Sequence, residues 1–168
     1  SGEFQGGVGI IGEKPPKPVH GRPHTVAGTP RIAPSQTNQD WFEVVEIDLS
    51  GLTPGQRDKL AAAWQQAGLY EHASVGSFAR FALELMALQA PPDLLLAATQ
   101  AQADEALHAR ACFSMASAFS STPLGPGELD LQGVMNHEVT AEQVLVQTIL
   151  EGCINETICA AQAETALA

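Results

Sequence analysis

The stretch that decides the fold is residues 93–119, which read DLLLAATQAQADEALHARACFSMASAF. It is rich in alanine and contains no proline or glycine, a composition that favours one long α-helix. Within it, Glu105 and His108 stand three residues apart, and residues at this spacing lie on one face of a helix. The helix therefore presents a carboxylate beside an imidazole, as do helix bundles that bind pairs of transition metals. Alone, the tetrapeptide is weak evidence, because glutamate and histidine often fall at this spacing on a solvated helix.

Two further helices are predicted around this one. Residues 53–56 read Thr-Pro-Gly-Gln, a capping box with proline at the first helical position. The pair Pro91-Pro92 ends this helix and opens the next. A second capping box, Thr-Ala-Glu-Gln at residues 140–143, starts the last helix. The three predicted helices span about 54–88, 93–119 and 140–168.

The remainder of the chain reads as irregular. Residues 1–50 form a proline- and glycine-rich arm, and the alternation within residues 41–49 predicts a short extended segment laid against the helices. Residues 120–136 read as a long loop, which suits a crossover connection in a helix bundle. The sequence thus predicts an arm over 1–50 and an all-α domain over 51–168.

Glu71 lies in the middle of an apolar face of the first helix. Residues on that face are apolar or small: Leu60, Trp64, Ala67, Gly68, Val75, Phe78 and Leu85. Burying a carboxylate among them is costly unless a positive group satisfies it. Glu71 is therefore a candidate metal ligand; the plainer alternative is a glutamate at the edge of the face that reaches water or an arginine.

The third helix offers two candidate carboxylates, Glu151 and Glu156, each beside isoleucine and leucine side chains. They are five residues apart, so they point in directions that differ by more than a quarter turn. One of them is expected to be the ligand and the other its neighbour. Glu151 is preferred, and Glu156 is the close alternative.

The composition excludes several classes of protein. The chain carries 19 acidic and 8 basic residues, a net charge of -11, which disfavours a nucleic-acid partner. The sequence contains no run of 18 apolar residues, so no membrane span is predicted. The three cysteines do not form a Cys-x-x-Cys pair, and all three are expected to be buried core thiols. Free thiols slightly favour the cytoplasm.

These residues and their surroundings resemble the ferritin-like superfamily of di-iron carboxylate proteins. The segments YEHASV at residues 70–75 and ADEALHA at 103–109 are similar to uncharacterised bacterial members, and the resemblance covers about residues 55–168. It implies a four-helix bundle with one glutamate from each of two helices and a Glu-x-x-His from each of the others. The fourth helix, with the second Glu-x-x-His, is apparently missing from this chain. Further residues or a second chain would supply it, so a homo-oligomer is possible.

The resemblance also implies a function. Glu105 would bridge two iron ions, with manganese as the alternative, while Glu71 and His108 would both bind terminally to the same one of these ions. Glu151 or Glu156 would bind or bridge the other ion. The expected protein is an oxidoreductase that uses O2 or peroxide on a small-molecule substrate. The alternatives are an iron-handling ferroxidase or storage protein and a metal-free helical binding module.

Overall fold

The computed structural model describes residues 23, 25–155, 157–158 and 161 of the chain. Its described part is mostly helical, with four short strands. The helices are α1 (Pro54–Ala87), α2 (Pro92–Ser120) and α3 (Ala141–Gln147), and a π-helix (Thr148–Asn155) follows α3 directly. The strands are β1 (Thr25–Val26), β2 (Thr29–Pro30), β3 (Ser35–Thr37) and β4 (Leu124–Pro126). The predicted predominance of helix is confirmed; the four-helix bundle remains a prediction.

The capping box predicted for α1 is present. The backbone N–H of Thr53 donates to Gln56 Oε1 (2.9 Å), and the N–H of Gln56 donates to Thr53 Oγ1 (3.3 Å). These two bonds satisfy donors that the first turn of a helix leaves free. Pro54 follows at the first helical position. Both long helices are confirmed, since their observed ends lie within one residue of the predicted ones.

Helices α1 and α2 form a tightly packed helical hairpin. Its core is small: Ala73, Ala109 and Phe113 are fully buried between the helices and the arm. Close approach of the helices depends on Gly68, because a Cβ atom there would lie 3.2 Å from the ring of Phe113. This close packing places side chains of the two helices next to one another across the hairpin.

The arm contains strand pairing that the sequence reading did not predict. Strands β1 and β2 form a hairpin around Ala27 and Gly28, which both have positive φ (50° and 75°), as the favoured two-residue hairpin turns require. Strand β3 pairs antiparallel with β4 from the loop after α2, with Gln36 opposite Gly125. The arm is thereby tied to the helical hairpin by backbone hydrogen bonds.

The segment over residues 41–49 lies against the helices, as predicted, but joins no strand. The ring of Trp41 meets that of Phe113 edge-on, with centroids 6.3 Å apart. The backbone N–H of Glu43 donates to Ser114 Oγ (2.9 Å), and the Glu43 carboxylate pairs with Arg110 at 3.1 Å. These contacts cover one side of α2.

The third helix departs from its prediction. One of the two hydrogen bonds of its predicted capping box is present, since the N–H of Gln143 donates to Thr140 Oγ1 (3.3 Å). The expected single α-helix over 140–168 is wrong in geometry: the α-helix ends at Gln147 and continues as a π-helix to Asn155. π-helices are rare and concentrate at functional sites. Most of residues 156–168 lie outside the described part.

Within the described residues, no helix combines the length and the apolar character needed to cross a membrane.

Candidate metal centre

Three of the five predicted ligands meet on one face of the helical hairpin. Glu71 comes from α1, and Glu105 and His108 come from α2. The Nδ1 atom of His108 lies 3.8 Å from Glu71 Oε2 and 3.8 Å from Glu105 Oε2. One ligand atom from each residue falls within 4.8 Å of the other two. This group of three side chains, a candidate site for a metal ion, is called the metal cluster below.

The metal cluster is half-enclosed. The side chains of Glu71 and Glu105 are 16% and 14% exposed, whereas that of His108 is 62% exposed. The two carboxylates therefore sit close together where water screens their charges only in part, and a cation between them would offset their repulsion. The imidazole forms the outer edge of the cluster, so a small molecule can approach from that side.

The donor set fits a divalent transition metal. Nitrogen and oxygen ligands lie about 2 Å from zinc, so two atoms that share an ion are at most about 4 Å apart. The Nδ1 atom of His108 meets this limit with either carboxylate, at 3.8 Å. Small movements of the side chains would bring all three ligand atoms, which lie within 4.8 Å of one another, onto one ion. Carboxylate with imidazole suits iron or manganese, and no thiolate of the described residues joins the cluster. The three side chains could therefore hold one such ion and leave coordination positions open.

Glu151, predicted as a ligand, is placed elsewhere. Its Oε2 accepts a hydrogen bond from Arg80 Nη2 (3.0 Å), and its Oε1 accepts one from the hydroxyl of Thr25 (3.1 Å). Arg80 follows Glu71 by nine residues, about 13 Å along α1. The π-helix thus brings Glu151 to an arginine rather than to the metal cluster. The structure therefore does not bring Glu151 together with Glu71, Glu105 and His108, and its role as a metal ligand stays a prediction.

Glu156, the alternative, lies outside the described residues. Its role as the third-helix ligand stays a prediction.

Arg80 is the centre of a buried charged network that the sequence reading missed. Its side chain is 3% exposed and that of Glu84 is 2% exposed, with Arg80 Nε 3.4 Å from Glu84 Oε1. His137 Nε2 lies 2.9 Å from the same Glu84 oxygen, and Arg80 Nη1 donates to the carbonyl of Thr25 (3.0 Å). The sequence carries a signal for this buried ion pair, since Arg80 and Glu84 are the only charged residues between positions 73 and 92 and lie four residues apart.

The cysteines do not all behave as buried core thiols. Cys112 is half-buried on α2, one turn after His108, and burial together with the nearby charge of Glu71 raises the pKa of its thiol to about 12. Cys153 is exposed on the π-helix, so the prediction of a buried thiol is wrong there. Cys159 lies outside the described residues.

His72 follows Glu71 directly but does not join the metal cluster. Its ring is half-buried and meets Trp41 edge-on, with centroids 5.1 Å apart. Its Nδ1 atom is buried without a hydrogen-bond partner among the described residues. Burial lowers the pKa of this imidazole.

A shallow groove lies on the far side of α2 from the metal cluster. It is bounded by Phe42 and Val45 of the arm and by Ser114 and Ser117 of α2. Ser114 follows Glu105 by nine residues, two and a half helical turns, so the two side chains leave opposite sides of the helix. The groove is therefore separate from the cluster.

Comparison with known proteins gave no relative: no protein family, no curated protein and no solved structure matches this chain. The resemblance to ferritin-like proteins therefore rests on the residues around Glu71 and Glu105 alone.

Proposed function

We propose that Glu71, Glu105 and His108 bind iron or manganese, and that the protein is a di-metal carboxylate oxidoreductase of the ferritin-like type acting with O2 or peroxide. The observation that carries the proposal is the convergence of these three side chains from two helices. Glu105 and His108 are neighbours by helical spacing alone, whereas Glu71 reaches them only because the hairpin packs in this register. A second carboxylate at that place is what a metal centre requires.

The residues have distinct parts in this proposal. Glu71 and Glu105 supply the negative charge that attracts a divalent cation, and their partial burial strengthens that attraction. His108 supplies a neutral nitrogen ligand at the exposed edge of the cluster. That edge is where O2 or peroxide would approach.

Bound iron would supply the redox chemistry, because two ferrous ions together provide the two electrons that convert O2 and two protons to hydrogen peroxide. Helix bundles of this kind host storage, hydroxylation and peroxide chemistry alike, so the organic substrate does not follow from the fold.

Oxygen uptake tests the proposed activity. Protein loaded with ferrous iron without air and then mixed with oxygenated buffer should consume O2 faster than free ferrous iron does. Glu105→Gln should remove this excess rate, since it deletes a charged ligand. Asp104→Asn is the matched control. Asp104 directly precedes Glu105 on α2, and its exposed carboxylate accepts a hydrogen bond from Gln100 and is not part of the metal cluster.

Two outcomes decide between the alternatives. A large cage measured by light scattering, with iron retained after oxidation, would assign the protein to iron storage. An excess rate of oxygen uptake that is unchanged in Glu105→Gln would remove the metal cluster from the chemistry, and uptake no faster than that of free ferrous iron would leave a helical binding module.

A further inference from the structure

We propose that the third helical segment binds a basic amphipathic helix of another protein through its exposed apolar side chains. The segment comprises α3 and the π-helix, residues 141–155, together with the described residues 157 and 158. The site is separate from the metal cluster and does not depend on the proposed function. Its apolar side chains, called the outer apolar face below, are Leu145, Val146, Ile149, Leu150, Ile154 and Ile158.

The third helical segment places its polar and apolar residues in the reverse of the usual arrangement. A helix on the surface of a globular protein normally turns apolar side chains inward and polar ones to water. Here the six side chains of the outer apolar face are 45–60% exposed, whereas Thr148 and Glu151 are less exposed. Val144 is the one buried apolar residue among those described in the segment. Adjacent apolar side chains held in water mark an interaction surface.

A buried ion pair holds the segment in this orientation. Glu151 accepts hydrogen bonds from Arg80 Nη2 (3.0 Å) and from the hydroxyl of Thr25 (3.1 Å). Ile149 precedes Glu151 by two residues, roughly half a helical turn, so the two side chains leave opposite sides of the helix. Turning Ile149 inward would draw Glu151 away from Arg80 and break this pair, which is costly. The fold therefore keeps the outer apolar face exposed.

The π-helix brings its apolar residues together. Its hydrogen bonds join residues five apart, so side chains four or five apart lie close to one another along the helix. Ile149 and Ile154 are five apart, and Leu150 and Ile154 are four apart, all within the π-helix. On an α-helix, residues five apart diverge by about 140°. The π geometry thus makes a contiguous apolar surface that one partner helix can cover.

The charge of this part of the chain selects the partner. Residues 111–168 contain no lysine or arginine, and the exposed residues Glu138 and Glu142 stand at the start of the segment. A second copy would bring like charges together, and an anionic lipid surface would be repelled. Leucine-type side chains flanked by lysine or arginine complement both the apolar surface and its acidic surroundings. The chemistry that fits is therefore a basic amphipathic helix.

Fluorescence anisotropy with a labelled peptide tests the proposal. The probe is a peptide of about 18 residues, five helical turns, with leucines on one helical face and lysines on the other. It should bind the full chain saturably. A peptide of the same composition in scrambled order, and one with glutamate in place of lysine, should each bind at least tenfold more weakly.

Variants locate the site. Leu150→Lys should weaken binding of the patterned lysine peptide at least tenfold, because a charge is then buried without a partner. Leu96→Lys is the matched control, since Leu96 is exposed on α2, outside the outer apolar face. Glu138→Gln combined with Glu142→Gln should weaken binding by about threefold and reduce its dependence on salt. Circular dichroism checks that each variant keeps its helix content.

Three results would overturn the proposal. Equal binding of the patterned and scrambled peptides would show that charge alone attracts them. Equal losses in Leu150→Lys and Leu96→Lys would place binding outside the third helical segment. Dimers of the unchanged chain in sedimentation velocity, or its binding to phosphatidylcholine vesicles, would name a second copy or a lipid surface as the occupant if Leu150→Lys abolished them.

Discussion

Burial decides which cysteine side chains can react. The thiolate is the nucleophilic form of cysteine, and the Cys112 thiol, with its pKa raised to about 12, is almost entirely protonated near neutral pH. Cys153 is exposed on the π-helix. We predict that iodoacetamide at pH 8 modifies Cys153 at least tenfold faster than Cys112, as measured by mass spectrometry of peptides. Equal rates would show that Cys112 is not buried in the hairpin.

The imidazole of His72 makes stability depend on pH. Burial lowers the pKa of His72 below the ordinary value of 6.5, so the unfolded chain takes up a proton more readily than the folded one. Burial of the neutral His72 imidazole therefore costs no proton release at pH 7 and above, and its contribution to the free energy of unfolding is fully present there. It is lost as the pH falls below about 6.5.

His72→Phe tests this pH dependence. Phenylalanine keeps an aromatic ring against Trp41 and removes the titrating group. The free energy of unfolding should fall less between pH 7 and pH 5 in the variant than in the unchanged chain, as measured by urea denaturation with a chelator present. If the free energy of unfolding depended on pH equally in the two proteins, the His72 imidazole would be exposed to water rather than buried.

The buried Arg80 network connects elements that lie far apart in sequence. Arg80 joins α1 to β1 and to the π-helix, and Glu84 joins α1 to the loop at His137. Removing one partner of a buried ion pair leaves an uncompensated charge, which typically costs about 3–5 kcal/mol. This network is therefore expected to determine whether the third helical segment stays on the hairpin.

Arg80→Met tests the network. It should lower the free energy of unfolding by about 3–5 kcal/mol, because the buried Glu84 carboxylate then loses its arginine and keeps the imidazole of His137. Arg110→Met is the control, since its ion pair with Glu43 is exposed and should contribute less than about 1 kcal/mol. Urea denaturation measures both. Equal losses in the two variants would contradict burial of the network.

Local signals made α1, α2 and the meeting of Glu71, Glu105 and His108 predictable. The capping residues Thr53 and Gln56 act within one turn, and Glu105 and His108 meet through helical spacing alone. Glu71 was found from its place on an apolar face, since a carboxylate there needs a cation. For these features, a short stretch of sequence carries most of the physical determinants.

Features that depend on distant pairing were missed. Strand β3 forms because β4, almost ninety residues later, offers matching backbone groups. The partner of Glu151 is Arg80, 71 residues away, so the Glu151 carboxylate could be read from sequence as a metal ligand. The helix changes from α to π geometry at Thr148, and no proline or glycine in residues 140–148 predicts that change.

At the scale of the whole molecule, the helical hairpin separates two kinds of charged site. Arg80 and Glu84 lie on the side covered by the arm and the π-helix, where protein groups satisfy their charges. Glu71 and Glu105 lie elsewhere on the hairpin, where the imidazole of His108 lies 3.8 Å from an oxygen of each carboxylate. The side around Arg80 binds other segments of the chain, and the side around Glu71 and Glu105 is suited to a cation.

Calorimetric titration with Mn²⁺ tests the metal cluster most directly. We predict saturable binding of one ion per chain to the unchanged protein and to Asp104→Asn, and a loss of at least a hundredfold in affinity in Glu105→Gln, because one of the three ligands is then neutral. Binding that is equally tight in Glu105→Gln, or no saturable binding of Mn²⁺ or Fe²⁺ to the unchanged chain, would contradict a metal centre at Glu71, Glu105 and His108.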